Sequence, residues 1–454
     1  LNINYSKRRE THLSGFIPTI GDMFGQKDTN EYGLVPGLGF AFGLEGGEKF
    51  INKSLSRDWL VMDTMNISPA VYNSAEKLEL RAQIEPIKNL KIELNANYEN
   101  NKRTEIQYMS KGMPRTLGGN FSMTTIALKT TLRGSNSKND YQSDTFDKFL
   151  AYKEIIKNRL QKQYNNVTLP DGLASGNAAT VNPNSGDVLI PAFIAAYTGR
   201  DVNNISMSAF PSIWSILPNW NITYDGLSNI PLIKSKFRSL RLSHSYSCFY
   251  QVGSYSSFSG WQQAIGGGDD LGYIRDVLGG NPIPSSPYNI SSVGITELFR
   301  PLIGAEGILN NNMNINAQYN SGRTLTLNMS SYQIIEYLEK EFVLGFGYRI
   351  NEFNRVIGLT SRTPKNFNND LNIKTEVSYK SSEALLRKIE EYFTQATSGV
   401  TVFTLKISAD YTLSRALTLR AFYDRILNKP LISASSYPTT NSNFGISLKF
   451  TLVQ

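Results

Sequence analysis

The chain has 454 residues and a single cysteine, so it can form no internal disulfide, and its two histidines are too few for a His/Cys metal cluster. The formal net charge is +8, but the basic residues are scattered apart from Lys7-Arg8-Arg9, and no nucleic-acid partner is predicted. No run of about 18 apolar residues occurs, which excludes a membrane-spanning helix; spanning strands escape this test because one of their sides is polar.

Alternation of apolar with polar or small residues predicts strands in the N-terminal part of the chain. In the segment 37–45, Leu38, Phe40 and Phe42 alternate with glycine or alanine, which predicts a strand. In the segment 78–99, two alternating arms of about ten residues flank a turn near Pro86, which predicts a hairpin. We interpret residues 1–132 as barrel strands with their loops.

Two long insertions interrupt the strand series. The first, 133–215, contains a helical pattern over 144–164, followed by a loop rich in Gly, Asn and Pro. The apolar side of this amphipathic helix comprises Phe146, Phe149, Leu150, Ile156, Leu160 and Tyr164. The second insertion, 257–303, contains Asp269 and Asp270. We interpret these two carboxylates as part of a surface loop, because calcium needs more oxygen ligands.

The segments 216–256 and 304–454 are predicted to be barrel strands. One strand covers 239–253, a hairpin turns around Asn320-Ser321-Gly322, and further strands follow at 341–350, 371–380, 403–411, 417–425 and near the C-terminus. The series gives about 14 strands, most of them near the ~9–11 residues of a tilted membrane-crossing strand. An aromatic girdle is predicted from tyrosines near strand ends: Tyr98, Tyr319, Tyr348, Tyr379, Tyr411 and Tyr423.

The predicted fold class is an all-β transmembrane antiparallel barrel wall whose loop insertions carry a short amphipathic helix. One phase of each strand then faces a hydrated lumen and the other faces lipid. The predicted lumen-facing residues are Arg81, Glu93, Lys406, Asp410, Arg420, Asp424 and Lys449. The predicted lipid-facing residues are Leu80, Leu94, Leu405, Ile407, Leu419, Ile446, Leu448 and Phe450.

No arrangement of residues typical of an enzyme emerges. His244 and Cys248 fall on the apolar phase of one strand, where they are interpreted as packed residues. No Ser-His-Asp set, HExxH or Walker motif occurs, and the glycines of 37–43 do not have the GxGxxG spacing of a dinucleotide loop. The sequence therefore predicts no catalytic residue, no cofactor and no metal ligand.

Most of the chain resembles the C-terminal part of the SprA family (also called Sov), the outer-membrane translocons of type 9 secretion in Bacteroidota. The resemblance includes FIPTIGDMFG at 16–25 and LPNWNITYDGL at 217–227. The Pro-Asn-Trp block of the latter, VGSY at 252–255 and PLIG at 301–304 are specific together in this order. It implies that the strands are a portion of a very large single-chain barrel. The chain, which begins within an alternating pattern, is accordingly expected to be a piece of a longer protein.

The resemblance also implies a function and partners. Folded client proteins would be exported through the lumen, in a system associated with gliding motility. A PorV-like outer-membrane protein, a plug protein, a periplasmic prolyl isomerase, the remainder of the same barrel and the lipid bilayer would be the partners. The expected location is the outer membrane of a Gram-negative bacterium.

Three alternatives remain open at this stage, of which an outer-membrane enzyme is the least favoured. An outer-membrane uptake channel, of the fatty-acid or TonB-dependent type, would be a complete barrel with an even number of strands and an N-terminal plug. A soluble all-β binding protein would have shorter strands and would need no detergent.

Overall fold

The computed structural model describes residues 1–19, 21–29, 31–62, 68–108, 115–131, 141–170, 180–258, 260–266, 270–351, 353, 370–414, 417–432 and 436–450. In chain order the strands are β1 (Asn2–His12), β2 (Lys27–Thr29), β3 (Gly33–Val35), β4 (Ala70–Ile87), β5 (Leu90–Ile106), β6 (Thr116–Thr124), β7 (Asn219–Tyr224), β8 (Phe237–Ser257), β9 (Gln262–Gln263), β10 (Gly272–Arg275), β11 (Pro282–Ser285), β12 (Tyr288–Ile290), β13 (Ser292–Leu309), β14 (Met313–Asn328), β15 (Gln333–Ile350), β16 (Leu371–Lys388), β17 (Phe393–Ser414), β18 (Leu417–Pro430) and β19 (Thr439–Phe450). The helices are α1 (Leu38–Ala41), α2 (Gly47–Ser56), α3 (Leu128–Thr131), α4 (Asp144–Tyr164), α5 (Gly186–Thr198) and α6 (Pro231–Lys234), with single 3₁₀ turns at Ile213–Ser215 and Gly226–Asn229.

One large antiparallel sheet, the main sheet, dominates the molecule. Its strand order is β1-β4-β5-β6-β8-β13-β14-β15-β16-β17-β18-β19, with β7 between β5 and β8 and with β12 beside β8. The predicted all-β sheet of long antiparallel strands, with an amphipathic helix in an insertion, is confirmed. Many of the strands are longer than predicted: β8 has 21 residues and β17 has 22.

The predicted hairpin around Asn320-Ser321-Gly322 is wrong. β14 runs without a break from Met313 to Asn328 and pairs with β15 along its whole length. The chain reverses after Asn328, where Tyr332 has a positive φ of 47° and the side chain of Asn328 accepts from the backbone N–H groups of Ser330 and Ser331. The turn-forming residues of 320–322 did not override cross-strand pairing on both sides. The hairpin over 78–99 is confirmed, with Asn89 in its turn.

The predicted strand over 37–45 is also wrong, because Leu38–Ala41 form helix α1. The amide groups of Ala41 and Phe42 bond to the carbonyl oxygens of Gly37 and Leu38. Only Phe40 of the alternating set packs inward, where its ring stacks on Phe50 at 4.2 Å. Much of the segment 13–69 therefore forms a small unit of α1, α2, β2 and β3 and loops, although residues 1–132 were predicted to be barrel strands and loops.

Two separate strands, β6 and β7, lie end to end between β5 and β8 in the main sheet. β6 pairs with β5 from Tyr98 to Glu105, and β7 pairs with β5 from Leu90 to Asn95, and both lie against β8. The chain between them, residues 125–218, leaves the sheet and returns; we call it the helical insertion. It is slightly longer than the predicted insertion 133–215. In the second predicted insertion, β13 already begins at Ser292, so the predicted end at 303 falls within that strand.

Helix α4 is confirmed with the predicted bounds and the predicted apolar side. The side chain of Ser143 accepts a hydrogen bond from the Phe146 N–H and caps its first turn. Phe146, Phe149, Ile156, Leu160 and Tyr164 are buried, and Leu150 packs partly against them.

Helix α5 was not predicted, and every residue from Val188 to Thr198 is buried. Together α4 and α5 pack on one side of β8, β13, β14 and β15 and form the main apolar core. In the described residues, no helix is long and apolar enough to cross a membrane.

Candidate channel lining and membrane-facing surface

The strand register separates the predicted site residues into two groups. Glu376 lies opposite Lys406, Lys406 opposite Asp424, and Asp424 opposite Asn443, so these side chains share one side of the main sheet. We call this side the polar face. Following the register from strand to strand, it carries all seven residues predicted to face a lumen: Arg81, Glu93, Lys406, Asp410, Arg420, Asp424 and Lys449.

The opposite side, which we call the apolar face, carries the other group. Val377 lies opposite Leu405, and Leu419 lies opposite Leu448, one position out of phase with the charged residues. The eight residues predicted to face lipid all belong to this face: Leu80, Leu94, Leu405, Ile407, Leu419, Ile446, Leu448 and Phe450. The register therefore brings each predicted group together on one side, across strands that are far apart in sequence.

The polar face curves around a cavity of about 970 Å³. Its lining comes from eight strands, β8 and β13 to β19, and from Asp225 before β8. Arg241, Lys374, Lys406 and Arg420 supply positive charge, and Asp225, Glu306, Glu376 and Asp424 supply negative charge. The lining therefore carries a balanced set of charges, with four side chains of each sign, beside apolar groups such as Phe422.

Ion pairs connect neighbouring strands across the polar face. Lys406 Nζ lies 3.5 Å from Glu376 Oε1, and Arg420 Nε lies 3.6 Å from Asp410 Oδ1. These side chains are substantially exposed, and pairs of this kind contribute about 0–1 kcal/mol each to stability.

The apolar face exposes a broad band of large apolar side chains. On β19, Phe444, Ile446, Leu448 and Phe450 are each about two-thirds exposed. The band continues through exposed residues of the neighbouring strands, including Ile407, Tyr379, Phe346, Phe342 and Tyr348. On β15 the apolar side chains of this face run from Phe342 to Ile350, roughly 27 Å of strand at about 3.3 Å per residue, and Phe342, Phe346 and Tyr348 are the exposed ones. Water-exposed sheets rarely carry an apolar surface of this size.

Of the predicted girdle tyrosines, Tyr348 and Tyr379 are exposed, whereas Tyr319, Tyr411 and Tyr423 are half-buried. Tyr98 is buried, and its ring contacts Phe121 edge-on at 5.4 Å. The cause is the helical insertion, which covers the apolar face over part of its area. The apolar face therefore has two areas with different surroundings. One area is exposed, and the other is packed against α4 and α5.

A buried ion pair attaches the helical insertion to the main sheet near α3. Arg323 Nη2 of β14 lies 3.0 Å from Glu297 Oε2 of β13 and donates to Thr130 Oγ1 at 2.9 Å. Tyr246 donates to Glu297 Oε1 at 2.7 Å, and the Thr131 hydroxyl donates to Glu297 Oε2. Two charged side chains on the sheet therefore fix the position of a short helix that precedes α4.

A second buried ion pair holds the start of α4. Arg387 Nε and Nη2 of β16 donate to Glu336 Oε2 of β15 at 2.9 and 2.7 Å. Arg387 Nη1 donates to the Tyr141 carbonyl oxygen at 2.9 Å, and the guanidinium lies over the Phe146 ring at 5.7 Å from its centroid. A buried arginine needs several such partners to offset the loss of hydration.

These four charged residues were not predicted from the sequence, although a signal was present. Glu297, Arg323, Glu336 and Arg387 each occupy the apolar phase of an otherwise alternating strand. A charge at such a position is costly unless it is paired, and this indicates a contact that the strand pattern alone does not contain.

The junction between β6 and β7 is closed by local hydrogen bonds. The Asn219 side chain accepts from the Cys248 N–H at 2.8 Å, and Thr124 Oγ1 accepts from the Asn97 N–H at 3.1 Å. These groups replace the ladder bonds that an uninterrupted strand would supply. The helical insertion can thus leave the sheet without unpaired backbone groups at these two positions.

The remaining candidates for chemistry are structural. Cys248 is buried, and His244 Nδ1 lies 2.7 Å from the Leu302 carbonyl oxygen. Asp269 lies outside the described residues. Within the described part of the chain, no three His, Cys, Asp or Glu side chains form a group that could hold a metal ion.

Comparison with known proteins gives alignments to outer-membrane proteins. The protein OmpT of Vibrio cholerae aligns over 85% of this chain and 90% of its own, with 8% identity and a TM-score of 0.20. Its trimer form aligns over 84% and 91%, with 9% identity and a TM-score of 0.20. An anion-selective porin of Comamonas acidovorans aligns over 84% and 92%, with 9% identity and a TM-score of 0.13. No family model and no curated protein matches the chain. Scores this low do not identify a common fold.

Proposed function

We propose that the main sheet is part of the wall of an outer-membrane β-barrel. The observation that carries this proposal is the separation of the two faces by one continuous register, with an exposed apolar band on one side and a charged cavity on the other. A lipid environment accounts for the first surface and water for the second. A soluble sheet of this size would have to cover the apolar band with protein.

In this assignment the polar face lines a lumen, and the exposed area of the apolar face contacts lipid. The nine residues from Phe342 to Ile350 cover roughly 27 Å of strand, which at a tilt near 40° corresponds to roughly 20 Å of membrane thickness. Exposed Tyr379 and Phe342 lie opposite each other at one end of this band, in the manner of interfacial aromatic residues.

We propose further that this wall belongs to a protein-translocation channel of the SprA type, and that folded clients cross its lumen. Two features support this reading. The sequence motifs resemble that family, and the balanced charges of the polar face would give a passing protein little net attraction. The partners expected from the resemblance, including a PorV-like protein and a plug protein, belong to the same proposal, as does a bacterium of the Bacteroidota.

The two edges of the main sheet are consistent with a larger barrel. In the part of the chain that the structure describes, β1 pairs with β4, β19 pairs with β18, and neither edge strand has a second neighbour. Unpaired edges inside a bilayer are unstable, because their N–H and C=O groups have no water to bond. We propose that other strands of the same barrel pair with these edges.

A photo-crosslinking experiment tests this function. A photoreactive amino acid replaces Lys406 on the polar face or the adjacent Ile407 on the apolar face. The cells export a folded fluorescent protein that carries the host's own secretion signal and is slowed by a bulky fusion domain. We expect crosslinks to the exported protein from position 406 and lipid or no crosslinks from position 407. Crosslinks from 407 alone, or from neither position during active export, would contradict translocation through this lumen.

A small-molecule uptake channel is the second candidate. It is favoured by the size of the cavity, since about 970 Å³ suits a small solute better than a folded protein. The two functions differ in one measurement. If radiolabelled solutes enter through the intact protein while no exported protein crosslinks to position 406, the uptake channel is the correct assignment.

A further inference from the structure

The segment between β1 and β4 folds into a small unit of its own. Val35, Phe50 and Trp59 form its buried core, and the Arg57 guanidinium lies 5.3 Å from the ring centroids of both Tyr32 and Trp59. This core fixes α1 and the loop that follows it. The rest of the unit nevertheless exposes several large apolar side chains.

These side chains form what we call the loop patch, which comprises Met23, Phe24, Leu38, Phe42 and Leu44. Met23 is 89% exposed, Leu44 80% and Phe42 62%. The rings of Phe24 and Phe42 lie 5.7 Å apart, so the two parts of the patch are adjacent. Single exposed apolar residues are common, but an adjacent set of five indicates a surface that is covered in the working protein.

The position of the loop patch is determined by contacts with β1. Arg9 Nη1 donates to the Gly43 carbonyl oxygen at 3.3 Å, and the Gly47 N–H donates to Thr11 Oγ1 at 3.4 Å. Arg9 and Thr11 lie an even number of residues from Tyr5, so the three side chains are on the same side of β1. Tyr5 lies opposite Leu78, which belongs to the apolar face. Phe42 and Leu44, which flank Gly43, therefore lie beside the apolar face rather than beside the polar face.

The patch is also close to exposed apolar side chains of β1. Ile3 and Tyr5 are exposed on the apolar face, and Arg9 is four residues farther along the strand than Tyr5. Four residues correspond to roughly 13 Å of strand, or roughly 10 Å of height at a tilt near 40°. This height is comparable to the thickness of the headgroup layer plus the length of one side chain, so apolar side chains at the level of Arg9 can reach the acyl chains. Arg9, at the level of the patch, carries a positive charge that suits lipid phosphate groups, whereas Lys7, two residues nearer Tyr5, is paired with Glu76 at 3.3 Å.

We propose that the loop patch inserts into the boundary between lipid headgroups and acyl chains beside β1, and that it anchors this end of the sheet to the membrane surface. The occupant of the patch is therefore lipid. The inference rests on the proposed membrane location and goes beyond it, because it gives a loop outside the spanning strands a lipid contact. Phe and Leu side chains combined with basic residues are the usual composition of such interfacial anchors.

Lipid-borne quenchers test this inference. Cys248 is first replaced by Ala, so that a single introduced cysteine carries a bimane fluorophore. Three labelled variants are compared: Leu44→Cys in the loop patch, Ile446→Cys in the apolar band and Lys449→Cys on the polar face. Each variant is made in the complete protein and reconstituted in vesicles of phosphatidylcholine that is brominated near the headgroup end of one acyl chain. Each is also titrated with aqueous iodide.

We expect the label at position 44 to lose about half of its emission in the brominated vesicles, as an interfacial side chain should, and to resist iodide. The label at 449 should respond to iodide alone. If position 446 is quenched by bromine while position 44 responds only to iodide, the loop patch lies in water and the inference is wrong. If position 44 resists both quenchers, protein covers the patch, and the inference is again wrong. If position 446 itself is not quenched by bromine, the barrel assignment fails instead.

Discussion

Replacing Arg387 with Met should release α4 from the main sheet while leaving the strands paired. The Arg387 side chain is fully buried and gives Glu336 two hydrogen bonds, at 2.9 and 2.7 Å. It also holds the Tyr141 carbonyl oxygen and Thr394 Oγ1, at 2.9 and 3.2 Å. Methionine fills a similar volume but leaves the buried Glu336 carboxylate without its arginine partner.

The magnitude follows from the burial of both partners. Breaking a buried ion pair by removing one member costs about 3–5 kcal/mol, because a charge remains in a poorly hydrated site. Since each 1.4 kcal/mol is tenfold in an equilibrium, amide exchange in α4 should accelerate by roughly two to three and a half orders of magnitude. The double variant Arg387→Met with Glu336→Leu should recover most of the protection, since it removes both charges.

Hydrogen exchange measured by mass spectrometry on the membrane-reconstituted protein reports this release directly. The matched control is Arg420→Met, which breaks an exposed pair with Asp410 and should cost less than about 1 kcal/mol. Exchange in α4 that stays within tenfold of the unmodified protein in Arg387→Met would refute the reasoning. So would a double variant that exchanges as fast as the single one.

Three further predictions concern the faces of the sheet and the helical insertion. Ile446→Arg should destabilise the folded protein in vesicles by about 2–4 kcal/mol and the adjacent Ser447→Arg by less than about 1 kcal/mol, measured by denaturant titration; equal losses would contradict the assignment of the faces. Phe193→Ala should create a cavity in α5 and reduce its exchange protection by about 3–5 kcal/mol, whereas Ile155→Ala on the exposed side of α4 should change little. Asp187 lies in the first turn of α5 and accepts from the Ser286 N–H, and desolvation raises the pKa of its carboxyl group. The neutral Asp187 side chain therefore stabilises the packing of α5 fully below its unfolded pKa, and this stabilisation is lost as pH rises through the higher folded pKa. Asp187→Asn should remove this decline in α5 protection with pH, and a decline that persists unchanged would assign it to another group.

The sequence by itself determined which residues share a face of each strand. Successive side chains of a strand point to opposite sides whatever the order of the strands in the sheet. Lys406 and Asp424 could therefore be assigned to the polar side before their strands were paired. The sequence also determined α4, because the apolar side from which it was predicted is a local feature; the Ser143 cap and the acidic first turn, which the structure shows, are local as well.

The tertiary structure decided what covers each apolar surface. An apolar side chain has the same periodicity whether it contacts lipid or a helix, so Tyr98 and Ile407 were equivalent in sequence but differ in environment. Helix α5 could not be found by periodicity, because it is apolar on all sides and contains Pro191. Glu297, Arg323, Glu336 and Arg387 acquire their role only when β13, β14, β15 and β16 bring them into pairs beneath the helical insertion. Pairing between distant segments depends on long-range contacts, which local sequence does not encode.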